Sequence, residues 1–195
     1  MDYFDEDIQL MLRFQDGEEP CFEELVERHK TRVFALTYRF LGNYHEAEDA
    51  AQEIFIKVYR AKYTYKPTAK FTTWLYVICK NTCLKVLRHK RLHAVSINDP
   101  KELEEDAVAP QIADPHASSP SDSMLHDEQA LVVKQAIDSL PANQKMAVIL
   151  SRYDELSYEN IAKVMSCSVK AVKSLLHRAK LHLREKLRDY VKNGN

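Results

Sequence analysis

Apolar residues recur three and four positions apart through most of this chain, and only three glycines fall anywhere in its 195 residues. That period belongs to the α-helix, whose turns stack such residues on one face, whereas strands need alternation and tight hairpins need more glycine. The pattern predicts an all-α protein and argues against a strand-rich catalytic fold. The longest unbroken apolar runs, such as WLYVIC and MAVIL, are too short to span a bilayer. The opening residues, MDYFDEDIQL, are acidic and lack the apolar core of a secretion signal. A cytoplasmic protein without membrane insertion is expected.

Charge divides the helical pattern into blocks. Residues 1–28 hold ten acids and two bases, residues 57–98 ten bases and no acid, residues 99–128 nine acids and one base, and residues 129–195 twelve bases and six acids. The near-neutral total of -1 thus hides two basic regions separated by an acidic one. The acidic block also carries four of the seven prolines and a cluster of serines, a composition that cannot bury enough apolar surface to pack and reads as a linker. Two small helical domains, 1–94 and 129–195, joined by a flexible acidic linker at 95–128, follow. A flexible chain of about thirty residues spans roughly 30 Å root-mean-square, enough to let the domains act on separated sites; a simple solubilising spacer would have the same composition.

In the C-terminal block, LSYENIAKVMSCSVKAVKSLLHRAKLHLREKL, a short helix from about Ser157 to Met165 is expected to meet a turn and then a second helix from about Val169. Ser157 and Ser168 can each accept from the open backbone N–H groups of a first turn. At 100° per residue, Val169, Val172, Leu176, Ala179, Leu183 and Leu187 make one apolar stripe, and the cations project elsewhere. A two-helix unit with a three-residue turn and a basic second helix fits a helix-turn-helix, whose second helix enters the major groove by its N-terminal part. Lys170, Lys173, Ser174 and His177 are the candidates for base edges, and Arg178, Lys180 and Arg184 for phosphates. A merely solvated basic face is the competing reading, and Leu181 on the polar side has no place in either.

The segment HEAEDAAQEIFIKVYRAK carries two faces. Ala47, Ala50, Ala51, Ile54, Val58 and Ala61 form a core stripe, while Asp49, Gln52, Ile56 and Tyr59 lie opposite, with Glu53 and Phe55 at the flanks. An apolar pair framed by a carboxylate and an amide suits a helix that docks on the helices of another protein; a helix sandwiched inside its own bundle would show the same pattern.

Taken in order, AEDAAQEIFIKVYRA, FTTWLYVICKNTCLKVLRHKR, the acidic linker and LSYENIAKVM with VKAVKSLLHRAKLHLREKL resemble a bacterial sigma factor of the extracytoplasmic function (ECF) group, the small type with domains 2 and 4 only. The resemblance covers nearly all of the chain outside the linker. Asn160, where the family often has Glu, and Cys167, in a turn commonly flanked by glycine, are mild departures. The resemblance implies a factor that binds core RNA polymerase, with Asp49, Gln52, Glu53, Ile56 and Tyr59 on the β′ clamp helices and the C-terminal domain at the β flap. It also implies promoter DNA as a partner. The loop from Tyr63 to Lys70 would form a pocket for a flipped non-template base of the -10 element. Tyr65, Lys66, Lys70, Phe71, Trp74, Asn81, Arg88 and Arg91 are the residues implied there, and the helix starting at Val169 would read the -35 element. An anti-sigma factor joins the partners to be considered. Phosphates account for the acid-free stretch from Ile54 to Asn98, since a carboxylate there would repel the strand being held. Interleaved aromatics offer an unstacked base a new stacking surface.

The alternatives are distinguishable in the sequence. A helix-turn-helix regulator that does not act through core polymerase, of the response-regulator kind, would carry alternating strands and a phosphoacceptor aspartate in its front half, and none is visible. An enzyme acting on nucleic acid would need a metal-ligand cluster or a nucleophile with its base. The eight histidines are scattered and the basic block has no carboxylate pair, so neither catalysis, metal nor cofactor is expected. Four cysteines without CxxC spacing point the same way; Cys79 and Cys83, at i and i+4, read as packing rather than a thiol switch.

Overall fold

The polar and glycine punctuation of the sequence sets where each helix begins and ends. The structure, a computed structural model, describes residues 5–96 and 130–190 apart from position 189, and among these residues every regular element is a helix. From position 97 onward the expected linker lies outside the described residues.

Helix α1 (Glu6–Gln15) opens on Asp5, whose carboxylate accepts from the Asp7 N–H at 3.1 Å. Helix α2 (Glu19–Leu41) has proline in its first turn and ends at Gly42, whose φ of 82° is left-handed backbone that costs glycine nothing. Asn43 then caps α3 (Tyr44–Arg60), accepting from the Glu46 N–H at 3.0 Å. The expected α3 core stripe is buried at Ala47, Ala50, Ile54 and Val58. The buried Thr37 hydroxyl fixes this stripe against α2 by donating to the Ala47 carbonyl at 3.1 Å. Helix α4 (Phe71–Ser96) completes the first unit and packs on α1, α2 and α3.

The second unit comprises α5 (130–138), α6 (Ala142–Arg152), α7 (Tyr158–Met165) and α8 (Val169–Lys186). Residues Met146 to Leu150 of α6 are all buried. A helix apolar on every side must be covered on every side, and α6 meets α7 and α8 of its own unit and α2 of the other. Ser157 and Ser168 act as the expected caps, accepting from the Asn160 and Ala171 N–H groups at 3.3 and 3.2 Å. Between them Ser166 takes a left-handed φ of 54°, which ends α7 and turns the chain into α8. The apolar core runs without a break from Phe14 and Leu36 of the first unit into Met146, Ile161 and Val172 of the second.

Candidate DNA and protein docking surfaces

The outward face of α3 is exposed. Asp49 and Gln52 lie at the surface, and Ile56 and Tyr59 keep 49% and 45% of their area exposed, which rules out a helix sandwiched on all sides within its own unit. Tyr59 is propped by aromatic neighbours, its ring centre 5.3 Å from Phe14 and 5.2 Å from Phe22, and Tyr63 beyond the end of α3 is almost fully exposed. The result is an apolar patch with an acidic and amide edge. Phe22 belongs to α2 and enters the patch only through the α2–α3 packing, which α3 read alone cannot reveal. Glu53 turns toward α4 instead, pairing with Lys57 at 3.0 Å and Lys85 at 3.2 Å, and the Lys57 hydrogen bond holds its carboxyl below the ordinary range.

The loop between α3 and α4 is held from beneath. The Gln15 amide donates to the Lys62 and Tyr65 carbonyls, the latter at 3.2 Å. Lys62, nearly buried, pairs with Glu19 at 3.0 Å and lies over the Phe14 ring. Here two expectations need correction: Tyr65 and Phe71, implied as DNA contacts, are 5% and 1% exposed and offer a strand no surface. They instead form the bed for Trp74, whose ring centre lies 4.8 Å from Tyr65 and 5.6 Å from Phe71. Burial pushes the Tyr65 phenol up to about 12, and its hydroxyl has no hydrogen-bond partner among the described residues.

Trp74 itself is half-buried, and Lys66, Lys70, Asn81 and Arg88 are exposed. Trp74, Asn81 and Arg88 stand seven residues apart and so share one stripe of α4. Arg91 lies on the same helix, with its side chain outside the described residues.

The acid-free stretch is less open to phosphates than its composition implies. Lys57, Lys62, Lys85 and Lys90 pair with Glu53, Glu19, Glu53 and Glu46, acids that all precede the stretch, and Lys80 is only 9% exposed. Lys66, Lys70 and Arg88 remain exposed, with no ion pair among the described residues.

On α8 the two sides separate as the periodicity predicts. Val172 and Ala179 are buried, with Val169, Leu176, Leu183 and Leu187 partly so. Lys170, Lys173, Ser174, His177, Arg178, Lys180 and Arg184 are all exposed. The Ser168 cap fixes the first turn, which places Lys170 and Lys173 on a rigid helix end. Leu181 is 51% exposed, and no contact in the structure explains it.

Comparison with known proteins finds the same two units. Residues 25–93 match the family model for sigma-70 region 2, and residues 130–183 match that for sigma-70, region 4. The chain is 37% identical over 180 residues to the RNA polymerase sigma-H factor of Pseudomonas aeruginosa, covering 90% of this chain and 91% of that protein. It is 33% identical over 173 residues to the ECF RNA polymerase sigma factor SigW of Bacillus subtilis, with 89% and 92% covered. Over 183 residues it is 33% identical to the ECF RNA polymerase sigma-E factor of Escherichia coli, with 94% and 95% covered. Among solved structures, the fold is similar to the sigma factor RpoE in complex with the anti-sigma factor NepR from Bartonella quintana, at a TM-score of 0.66 and 22% identity over 86% of this chain and 96% of that one. It is also similar to CnrH in complex with the cytosolic domain of CnrY, at a TM-score of 0.65 and 21% identity over 94% and 97%.

Proposed function

Because this chain belongs to the ECF group of RNA polymerase sigma factors, we propose that it directs core polymerase to promoters through the surfaces described above, with domain 2 extending to Ser96, where α4 ends and two residues beyond the expected boundary at 94, the linker following it to 128, and 129–195 as domain 4. The observation that carries the assignment is the coincidence, in one chain and in family order, of an exposed apolar patch on α3, an aromatic and cationic stripe on α4 and a capped cationic α8. Asp49, Gln52, Ile56 and Tyr59 engage the β′ clamp helices, with Glu53 shaping the flank through its lysines. The second unit docks at the β flap. Lys66, Lys70, Trp74, Asn81, Arg88 and Arg91 hold the -10 non-template strand, and Tyr65 and Phe71 support Trp74 from below. Lys170, Lys173, Ser174 and His177 face base edges of the -35 element, and Arg178 and Arg184 face phosphates.

Magnitudes divide the labour. Opening about a dozen base pairs at about 1.4 kcal/mol per step costs roughly 15 kcal/mol. Two or three captured bases at about 1–3 kcal/mol each return at most about 9 kcal/mol. Melting therefore needs the polymerase, and the chain acts by binding and positioning rather than by catalysing a reaction. Its polymerase and promoters place it in the cytoplasm, and among the described residues no helix is long and apolar enough to cross a membrane. Run-off transcription with purified core polymerase on a promoter library tests the reading. Transcripts starting at a common motif are expected, and absence of both core binding and initiation overturns it.

A further inference from the structure

The lysines of the acid-free stretch that pair with earlier carboxylates are not alike. Lys62 is nearly buried between Glu19 and the Phe14 ring. Lys57, partly buried, donates to the buried Thr82 hydroxyl of α4 at 2.8 Å as well as pairing with Glu53 at 3.0 Å. Both are fixed by groups besides their carboxylate. Lys85 and Lys90 of α4 are exposed, and each has a single carboxylate as its partner among the described residues, Glu53 at 3.2 Å and Glu46 at 2.9 Å. In water such a pair shifts an equilibrium by about fivefold at most, so either lysine can exchange its carboxylate for another anion.

What each carboxylate keeps when its lysine leaves decides how readily the exchange occurs. Glu53 keeps Lys57, whose hydrogen bond is the largest influence holding its carboxyl below the ordinary range. Glu46 keeps the first turn of α3, where the helix dipole favours an acid. Neither is left as a buried, unpaired charge.

Position around α4 then separates the two lysines. Lys85 follows Asn81 by four residues and precedes Arg88 by three. At about 100° per residue it lies within about 60° of each, on the side that carries Trp74. Lys90 follows Asn81 by nine residues, which turns it about half-way round the helix and away from that side. A strand held by Asn81 and Arg88, about 10 Å apart along the axis, passes beside Lys85 and not beside Lys90. For a single strand each neutralised phosphate adds about 0.7 to the slope of log affinity against log salt, a factor of about five between about 1 M and about 0.1 M. That meets the upper limit of the exposed pair, so exchange onto a phosphate is favourable at about 0.1 M salt.

We infer that Lys85 is a further phosphate contact of the -10 surface, held ready by Glu53 and delivered by exchange when a strand arrives. Glu53 lowers the affinity of α4 for any phosphate chain by the strength of the pair given up. Lys85 therefore adds to binding where Trp74, Asn81 and Arg88 have already brought a strand alongside. Lys90 stays with Glu46 as a brace between α4 and α3. The inference rests on the sigma-factor reading for the identity of the strand.

The test is salt-dependent binding of the holoenzyme, assembled at saturating core polymerase, to a labelled non-template -10 strand from a promoter returned by run-off screening. Lys85→Gln should lower the slope of log affinity against log salt by about 0.7 and weaken binding about fivefold at about 0.1 M salt, with circular dichroism unchanged, and Lys85→Arg should restore the slope. Lys90→Gln should keep the wild-type slope. Glu53→Gln should tighten binding by about two- to fivefold, and the gain should vanish in combination with Lys85→Gln. The exchange is overturned if Lys85→Gln keeps the wild-type slope, if Lys90→Gln lowers it equally, or if Glu53→Gln brings no gain or a gain that survives the loss of Lys85. Should Glu53→Gln fail to assemble with core polymerase, the slopes of the lysine variants decide alone. Failure of every form, wild type included, to bind core polymerase would remove the sigma-factor reading and this inference with it, whereas core binding with an unaltered Lys85→Gln slope removes the inference only.

Discussion

Lys145→Met is the most informative single test of how the two units are held. The Lys145 ammonium, its side chain 9% exposed, donates to Asp138 Oδ1 at 2.6 Å and to the Phe40 carbonyl at 2.7 Å. Phe40 is the penultimate residue of α2, so its carbonyl is one of the acceptors that a helix end leaves open, at the end where the helix dipole favours a cation. Methionine keeps most of the stem's volume and removes the charge. The lost bond to the Phe40 carbonyl, which leaves that acceptor unmet, should cost about 2 to 3 kcal/mol. The pair with Asp138, whose side chain is 38% exposed, adds at most about 1 kcal/mol. A total near 3 kcal/mol corresponds to a fall in Tm of about 6–12 °C at this chain length. Calorimetry should show that fall, and Asp138→Asn should show only a fraction of it. A Lys145→Met fall of less than about 2 °C, or an equal loss in Asp138→Asn, would refute the claim that Lys145 closes the end of α2.

Asp49→Ala combined with Gln52→Ala should weaken core-polymerase binding roughly tenfold or more while leaving circular dichroism unchanged; equal loss of helicity would assign both residues to structure. Lys170→Ala or Lys173→Ala should relax preference at one or two neighbouring -35 positions, by about 1 kcal/mol per base pair since neither side chain has arginine's fork. Arg184→Ala should instead weaken all sequences and lower the salt slope by about one phosphate's worth, and selection on randomised upstream elements separates the two outcomes. Trp74→Ala should cost about 1–3 kcal/mol in binding of a single-stranded -10 segment by the holoenzyme and leave duplex -35 binding unchanged; a loss in both would make Trp74 structural. Native alkylation read by mass spectrometry should modify Cys167 before Cys79 and Cys83, because burial raises the Cys79 thiol well above its ordinary value and the Cys83 thiol to about 12, keeping both protonated at neutral pH. Fast modification of Cys79 or Cys83 in the folded chain would contradict their packing role.

Helix positions, caps and faces were legible in the sequence because they depend on neighbours within a few residues. Ser157 and Ser168 cap the helices they precede, and the core stripes of α3 and α8 point inward, since the helical period alone decides which side an alanine or valine occupies. The exposed face of α3 was visible as a pattern, but only the packing of Phe14 and Phe22 against Tyr59 decided that it is a surface patch and not an internal seam. The acid-free stretch misled in part for the same reason: a charge count along the chain cannot see that Glu19, Glu46 and Glu53 return to neutralise four of its lysines. Tyr65 and Phe71 looked like contacts because an aromatic suited to a base is equally suited to a core, and burial, a property of the whole fold, distinguishes the two. The joining of the units lay furthest from reach. Tyr76 and Asp154 are 78 positions apart and Phe40 and Lys145 are 105 apart, and nothing local marks any of the four for its partner. Such pairs become specific only when the apolar faces around them have already met, so tertiary structure alone decides whether the two halves of this chain stand apart or closed.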